Sequence, residues 1–206
     1  AVSNSGDVTI TSLGDIVAAG DLASPGHHSG IKVAAETGKA SIQVDGGVSV
    51  AGEGAAAVEA DAVEIDLNIA GSVSATGQNG DGIRVTSSGP AYSHATISGD
   101  VLGGWDDVAR HDNGAAGLDA SLYGAVVTIN STGSLGALSD VAIASSGPDL
   151  ELHNFGTITG IITHLGDASF VNEAGGVWEL RNFADTDGDG IRDTEGAAIS
   201  ELSFSG

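Results

Sequence analysis

Hydrophobic and polar residues alternate in short segments along most of this chain. Residues 40–44, 63–67 and 95–98 are examples in which every second side chain is apolar. A period of two is the signature of a half-buried β-strand. Gly, Asn, Asp and Ser, which favour turns, lie between the segments. No stretch has the capped, 3.6-residue pattern of an amphipathic helix of useful length, so the pattern predicts an all-β protein.

The alternating segments also recur in a fixed order. Segments such as 40–44 are followed by segments that open with glycine, such as 47–50, and then by a third type, such as 57–60. The spacings between the apolar residues taken as equivalent are 23, 32, 32, 23 and 18 residues, for Ile42, Ile65, Ile97, Ile129, Leu152 and Phe170. This order predicts a parallel β-helix, a solenoid of about seven coils with three short strands per coil. An antiparallel β-sandwich is the competing architecture, and it would be expected to have more Asn-Gly hairpin turns and larger core residues.

The composition of the apolar residues favours a narrow interior. Hydrophobic residues make up 41% of the 206 residues, but the aromatic residues are only 2 Trp, 2 Tyr and 4 Phe, and none precedes Tyr92. A compact globule of this size usually fills its centre with aromatic rings. The longer repeat spacings indicate insertions, such as residues 105–112, which we expect to bulge from one face and to carry binding residues.

The charge and the absence of cysteine exclude several functions. Lys and Arg number 6 against 28 Asp and Glu, which gives a formal net charge of −22. Nucleic acid is therefore excluded as a partner, because phosphate binding requires a clustered basic surface. Without cysteine the chain has no disulfide framework and no thiolate metal site. The longest uncharged run, 120–139, is broken by polar residues and is not a membrane span, and no signal peptide is visible. We expect a mature segment of a longer secreted protein.

The C-terminal third resembles a known family. It contains Leu-His-Asn-Phe-Gly-Thr-Ile-Thr-Gly at 152–160, Gly-Asp-Ala-Ser-Phe-Val-Asn at 166–172 and Gly-Gly-Val-Trp-Glu-Leu at 175–180. This succession is similar to the passenger regions of Gram-negative autotransporter adhesins. The resemblance implies a right-handed parallel β-helix that is exported to the bacterial cell surface. It also implies anchoring in the outer membrane through a C-terminal barrel that is absent from this chain.

The function that follows from this resemblance is adhesion. We expect a surface-exposed or secreted adhesin or aggregation segment that mediates cell–cell or cell-surface contact. Its expected partners are host or bacterial surface molecules, such as glycans or matrix proteins, together with other copies of itself. A carbohydrate-active β-helix, either a polysaccharide lyase or a hydrolase, and a purely structural spacer are the alternatives. The sequence contains neither a Gly-x-Ser-x-Gly motif nor a P-loop, and we expect no enzymatic activity.

An acidic segment near the C-terminus is the sharpest candidate site. Residues 185–195 read Asp-Thr-Asp-Gly-Asp-Gly-Ile-Arg-Asp-Thr-Glu. Alternate carboxylates on a curling loop, with a backbone carbonyl, are hard oxygen ligands that suit Ca²⁺. We predict a structural Ca²⁺ ion with these ligands: Asp185, Asp187, Asp189, Ile191, Asp193 and Glu195. The spacing resembles the calcium loops of thrombospondin type 3 repeats.

A solvated acidic turn is the alternative, because residues 80–84 match residues 188–192 without the extra aspartates. The expected division of the chain is a β-helix over residues 1–182, followed by an acidic loop and a terminal coil or cap over residues 183–206.

Two further groups of polar residues can be interpreted either as functional sites or as ordinary surface residues. Glu59, Asp61, Glu64 and Asp66 form an acidic strip that is compatible with the carboxylate cluster of a lyase, but a solvent-facing ladder is favoured. Residues 110–112, Arg-His-Asp, follow Trp105 and suit sugar binding by stacking and hydrogen bonding. The favoured alternative is a polar loop with Trp105 packed against the body of the protein.

Overall fold

The computed structural model describes residues 2–3, 6–19, 28–107, 114–180, 183–191 and 193–195. The protein is all-β, with 67% of its residues in strands and no helix in the described ranges. The strands are β1 (Val2–Ser3), β2 (Val8–Ser12), β3 (Ile16–Ala19), β4 (Ser29–Val44), β5 (Val48–Ala51), β6 (Ala56–Ile69), β7 (Val73–Ala75), β8 (Asp81–Ser87), β9 (Ser93–Ile97), β10 (Asp100–Gly103), β11 (Leu118–Ser121), β12 (Gly124–Ile129), β13 (Ser134–Asn154), β14 (Thr157–Asn172), β15 (Val177–Glu179), β16 (Phe183–Ala184) and β17 (Thr194–Glu195).

The first fifteen strands form one sheet by parallel pairing, and β16 and β17 form a separate antiparallel pair. Six strands of the large sheet close into a parallel barrel. β6 pairs with β8, β8 with β11, and β11 with β13. β13 then pairs with β12, β12 with β9, and β9 with β6, which completes the ring. The ring closes because β6 and β13 are long enough for each to pair with two of its strands, β6 with β8 and then β9, and β13 with β11 through its middle and with β12 through its end.

The predicted right-handed parallel β-helix, with about seven coils and three short strands per coil, is therefore wrong. The prediction interpreted the Gly, Asn, Asp and Ser residues between the alternating segments as breaks between short strands. In the structure, β4 continues through Gly38 for 16 residues, and β13 continues through Gly136, Asp140 and Gly147 for 21 residues. Shifts of register at these places bend the long strands without ending them.

Gly147 and Gly166 show why glycine is required at one of these bends. Both have a positive φ, +143° and +142°, in a region that other residues rarely adopt. A Cβ atom at Gly147 would lie 1.8 Å from the carbonyl oxygen of Leu122, and one at Gly166 would lie 1.8 Å from that of Gly147. The close approach of the three backbones therefore depends on the absence of a side chain at both glycines.

The core consists of aliphatic side chains aligned in register from strand to strand. Ile31, Val58, Ile83, Leu118 and Ile143 form one such column, and all five are buried. A second column on another part of the sheet contains Val48, Val73, Val101, Leu135 and Ile158. Stacking side chains of similar size on neighbouring strands buries them with few voids.

The predicted equivalence of apolar residues is correct in part. Ile97 pairs with Ile129, and Leu152 pairs with Phe170, as expected. The other three pairings are wrong, because Ile42 lies opposite Leu67, Ile97 lies opposite Ile69, and Ile129 lies opposite Asn154. Each error is two or four residues, and an even shift keeps the same face of the strand directed inward, so the alternating pattern does not distinguish these registers.

Candidate metal centre

The acidic segment forms a loop between β16 and β17. Phe183 pairs with Glu195, and Ala184 pairs with Thr194, so the two ends of the loop are held together. The backbone N–H of Asp193 donates to the carbonyl of Ala184 at 2.9 Å. The loop is also joined to the main sheet, because the N–H of Asp185 donates to the carbonyl of Leu138 on β13 at 2.9 Å.

Asp185 organises the loop. Its side chain is fully buried, and its two carboxylate oxygens accept three backbone hydrogen bonds. Oδ1 accepts from the N–H of Asp187 at 3.2 Å and from that of Gly188 at 2.6 Å. Oδ2 accepts from the N–H of Gly190 at 2.8 Å. These bonds satisfy a buried carboxylate and wrap the backbone around it, as aspartate does in turns.

Three of the predicted ligands come together in the structure. One carboxylate oxygen from each of Asp185, Asp187 and Asp193 lies within 4.8 Å of the others. The triad could hold a metal ion, because clustered carboxylates provide hard oxygen ligands and a cation would relieve their mutual repulsion. Asp193 Oδ2 also accepts from the N–H and the hydroxyl of Thr186, at 3.0 and 3.2 Å. Each carboxylate has about four lone-pair positions, so Asp185 and Asp193 keep capacity for a ligand beyond these bonds.

The other predicted ligands are not part of this triad. Asp189 Oδ1 accepts from the N–H of Ile191 at 2.7 Å, and the Asp189 N–H donates to Asp187 Oδ1 at 3.1 Å. Ile191 is 66% exposed. Its predicted contribution to the Ca²⁺ site is the backbone carbonyl. Glu195 pairs through its backbone in β17, whereas the position of its side chain lies outside the described part of the structure.

Trp105 packs against the same loop. Gly188, with φ +80°, lies so close to the indole that a Cβ atom there would be 2.5 Å from Trp105 Cε2. Trp105 is half-buried. The favoured interpretation of the sequence is also that this side chain packs against the protein. Residues 110–112, the other part of the predicted sugar-binding cluster, lie outside the described residues.

Three of the four carboxylates of the acidic strip pair with lysines on the neighbouring strand β4. Lys39 Nζ lies 2.8 Å from Glu64 and 3.4 Å from Asp66, and the hydrogen bond with Glu64 raises the pKa of Lys39. Lys32 Nζ lies 2.6 Å from Glu59. Burial disfavours the charge of Glu59, but the bonds from Lys32 and Ser29 hold its pKa below the ordinary value. These three carboxylates act as partners of lysines on β4, whereas Asp61 lies opposite Ala34.

Alternating charges continue along this column of the sheet. Lys32, Glu59, Arg84 and Asp119 occupy directly opposed positions on β4, β6, β8 and β11. Opposite charges at opposed positions stabilise a sheet. The sequence gives no signal for this ladder without the register, because the four residues are far apart in the chain.

The structure also contains a serine–histidine pair that was not predicted. Ser145 Oγ and His164 Nδ1 are 2.8 Å apart, and His164 Nε2 is 3.0 Å from the carbonyl oxygen of Asp167. A carbonyl only accepts, so Nε2 carries a proton, and the single proton of the Ser145 hydroxyl is shared between His164 Nδ1 and the carbonyl of Thr163, which is 3.3 Å away. The adjoining cavity has a volume of about 10 Å³, which leaves no room for a substrate. The pair provides a polar end to the inward column that contains Val85 and Ala120.

In the described ranges, no helix is long and apolar enough to cross a membrane. Comparisons of the chain with protein-family models, with curated proteins and with solved structures find no match.

Proposed function

We propose that this protein is a surface-exposed or secreted adhesin or aggregation segment that mediates contact between cells or between a cell and a surface. The observation that carries the proposal is a broad polar face on the large sheet, built from side chains that lie in register on seven strands. The resemblance of residues 150–182 to autotransporter passengers supports the same function and an extracellular location at the bacterial cell surface.

The polar face lies on β2, β4, β6, β9, β12, β13 and β14. Six inter-strand steps separate the outermost strands, so the face extends for roughly 29 Å. Its side chains are exposed or half-buried, and valine interrupts the polar series twice. The members are Thr9, Ser41, Asp66, His94, Val126, Glu151 and Ser169 in one row, and Thr11, Gln43, Asn68, Thr96, Thr128, His153 and Val171 in the other.

This arrangement suits adhesion because it presents many weak hydrogen-bonding groups at a regular spacing. Several weak contacts made together bind far more strongly than one alone. The net charge of −22 makes copies of the protein repel each other at low salt. We therefore expect contact between copies to require screening by salt or bridging by divalent cations.

We also propose that the acidic loop binds Ca²⁺ and that the ion stabilises the end of the protein. The carboxylates of Asp185, Asp187 and Asp193 form the core of the proposed site. Asp189, the Ile191 carbonyl and Glu195 complete the proposed ligand set, because Ca²⁺ takes six to eight oxygen ligands. When bound, the ion would neutralise the three clustered carboxylates and fix the loop against β13 and Trp105.

Display of the whole chain on a non-adhesive bacterium tests the proposed function. Cells that carry the protein should sediment or adhere faster than cells without it, and more so when salt or Ca²⁺ is added. The variant Asn68→Lys/Ser169→Lys places two cations on the polar face and should reduce this effect. The control Thr86→Lys/Thr76→Lys makes the same change in charge at exposed positions outside the polar face, on β8 and directly after β7, and it should keep adhesion.

Two results would contradict the proposed function. One is that displaying cells neither aggregate nor adhere at any salt or Ca²⁺ concentration. The other is that the control variant loses adhesion to the same extent as the polar-face variant, which would show that charge alone governs the effect.

A further inference from the structure

A groove crosses a ladder of the sheet that is separate from the polar face. It runs over β7, β10, β13 and β14 and has a volume of about 310 Å³. This volume lies at the lower end of the range of roughly 300–1,000 Å³ that is typical of small-molecule sites. The groove is therefore large enough for a small ligand or for one segment of a longer one.

The floor of the groove depends on Gly136. Leu102, Gly136 and Thr159 occupy directly opposed positions on β10, β13 and β14. Since Gly136 has no side chain, a gap remains between its two neighbours, and a Cβ atom there would lie 3.0 Å from the carbonyl oxygen of Thr159. Leu102 is 37% exposed at the edge of this gap and provides an apolar surface inside the groove.

Short polar side chains surround this floor. Ser134 donates a hydrogen bond to Oδ1 of Asp100 at 2.6 Å, which fixes the exposed carboxylate at the rim. Ser72, Ser74 and Thr159 add three hydroxyl groups. Hydroxyls both donate and accept, whereas the second oxygen of Asp100 only accepts. Groups of this kind match a ligand that carries several hydroxyl groups of its own.

The charge of the groove selects against anions. None of its lining residues is cationic, and its single charged group is the carboxylate of Asp100. The net charge of −22 repels acidic ligands further. The apolar edge of Leu102 fits the C–H surface of a sugar ring, while the surrounding hydroxyls and carboxylate fit its hydroxyl groups. We propose that this groove binds a neutral saccharide, as a free mono- or disaccharide or as part of a neutral glycan.

The inference rests on the proposed function in one respect, since a glycan is one of the surface molecules that an adhesin contacts. Binding itself is tested on the purified protein by NMR titration with methyl glucoside, methyl galactoside, methyl mannoside and N-acetylglucosamine, with glucuronate as the anionic comparison. At least one neutral sugar should bind saturably and shift the amide signals of Leu102, Gly136 and Thr159. Glucuronate should leave these signals in place.

Two variants and a matched control locate the binding. Thr159→Ala and Leu102→Ser should each weaken binding by about tenfold, the loss expected for one good contact. Thr86→Ala changes an exposed threonine on β8, outside both the groove and the polar face, and should bind as the unmodified protein does. The absence of saturable binding by all four neutral sugars would overturn the proposal. Equal weakening by Thr86→Ala, or equal binding of glucuronate, would also overturn it.

The adhesion assay separates this inference from the proposed function. If displaying cells adhere but the purified protein binds none of the neutral sugars, the groove proposal fails and the proposed function stands. If a sugar binds in the groove but the cells never adhere or aggregate, the groove is a saccharide site and the proposed function fails.

Discussion

Asp81 and Arg84 form a salt bridge at the start of β8, in which Arg84 Nε donates to Asp81 Oδ2 at 2.8 Å. Asp81 is buried, and its other oxygen accepts from the N–H of Ala116 at 2.8 Å. Arg84 also lies 3.9 Å from Asp119 on β11. One guanidinium thus faces two carboxylates, and Asp81 joins β8 to the segment that precedes β11.

This arrangement predicts a stability that depends on pH. Burial raises the pKa of Asp81 to about 7 from an ordinary value of 3.8, although Arg84 opposes the shift. The folded state then holds a proton that the unfolded chain releases. The resulting stabilisation is complete below about pH 3.8 and is lost as the pH rises through about 7. The loss in unfolding free energy amounts to at most roughly 4 kcal/mol.

Asp81→Asn should remove this dependence, because asparagine is neutral at every pH and can still accept from Ala116. Urea unfolding at several pH values between about 4 and 8 would measure the slope. Asp61→Asn, at an exposed aspartate of the neighbouring strand β6, should keep the slope of the unmodified protein. An unchanged slope in Asp81→Asn would show that Asp81 is ionised throughout this range.

A second prediction concerns Asn154, a fully buried polar residue at the end of β13. Its Nδ2 donates to Oδ1 of Asn172 at 2.7 Å and to the carbonyl of Val177 at 3.0 Å, and its Oδ1 accepts from the N–H of Gly156 at 3.1 Å. Asn154→Ala leaves buried partners unsatisfied and should lower the unfolding free energy by about 1–3 kcal/mol.

Urea unfolding of Asn154→Ala beside Asn172→Ala is the measurement for this second prediction. Asn172 is exposed, so its replacement should cost less than that of Asn154. Equal losses in the two variants would mean that burial of Asn154 adds nothing to the strength of its bonds.

The sequence supports a correct prediction of an all-β chain with parallel strands, but not of how the strands join. The alternation of hydrophobic and polar residues predicts which side chains face inward, and the buried aliphatic columns confirm this prediction. It does not report whether a glycine ends a strand or bends it, as Gly147 bends β13. That outcome depends on the backbone of Leu122, which lies in the connection between β11 and β12. The closed six-stranded ring is a consequence of such bends and could not be predicted from local pattern.

The candidate metal centre was predictable where it depends on local residues. Asp185, Asp187 and Asp193 are close in sequence, and a tight loop brings them together. The burial of Asp185 was not predictable, because Leu138 and Trp105 come from distant parts of the chain. The same limit applies to Ser145 and His164, which meet only through the register of β13 and β14.

A third prediction follows from His153, which lies between two carboxylates. Its Nδ1 is 2.8 Å from Glu173 and its Nε2 is 2.8 Å from Glu151, and these bonds raise the pKa of His153 above the ordinary value of 6.5. The folded state therefore binds the proton more tightly than the unfolded chain. The stabilisation is complete below about pH 6.5 and is lost as the pH rises through the higher pKa of the folded state.

His153→Gln should accordingly lower the unfolding free energy at about pH 6 and have a smaller effect at about pH 8, where less of the histidine is protonated. The expected loss is roughly 0.2–1 kcal/mol, because the side chain of His153 is partly exposed and solvent weakens such pairs. Urea unfolding at both pH values would measure it, with His94→Gln as a control at an exposed histidine of the same polar face. A loss of equal size at both pH values would indicate that the histidine acts through packing and not through its charge.

The fourth prediction separates the structural role of the acidic loop from metal binding. Asp185 accepts three backbone hydrogen bonds, so Asp185→Ala should lower the melting temperature even without Ca²⁺. Asp187 is exposed and accepts from the N–H of Asp189 at 3.1 Å. Asp187→Ala should therefore melt like the unmodified protein without Ca²⁺ and lose only the increase that Ca²⁺ produces.

Calorimetric titration of the chelator-stripped protein with Ca²⁺, beside thermal melts, measures both effects of the fourth prediction. The unmodified protein should show one saturable event and a higher melting temperature, and Asp187→Ala should show neither. Asp189→Ala then distinguishes the triad from the larger predicted ligand set, since a triad site keeps its affinity in this variant. If the unmodified protein shows no heat and no change in melting temperature, the carboxylates form a solvated turn held by Asp185.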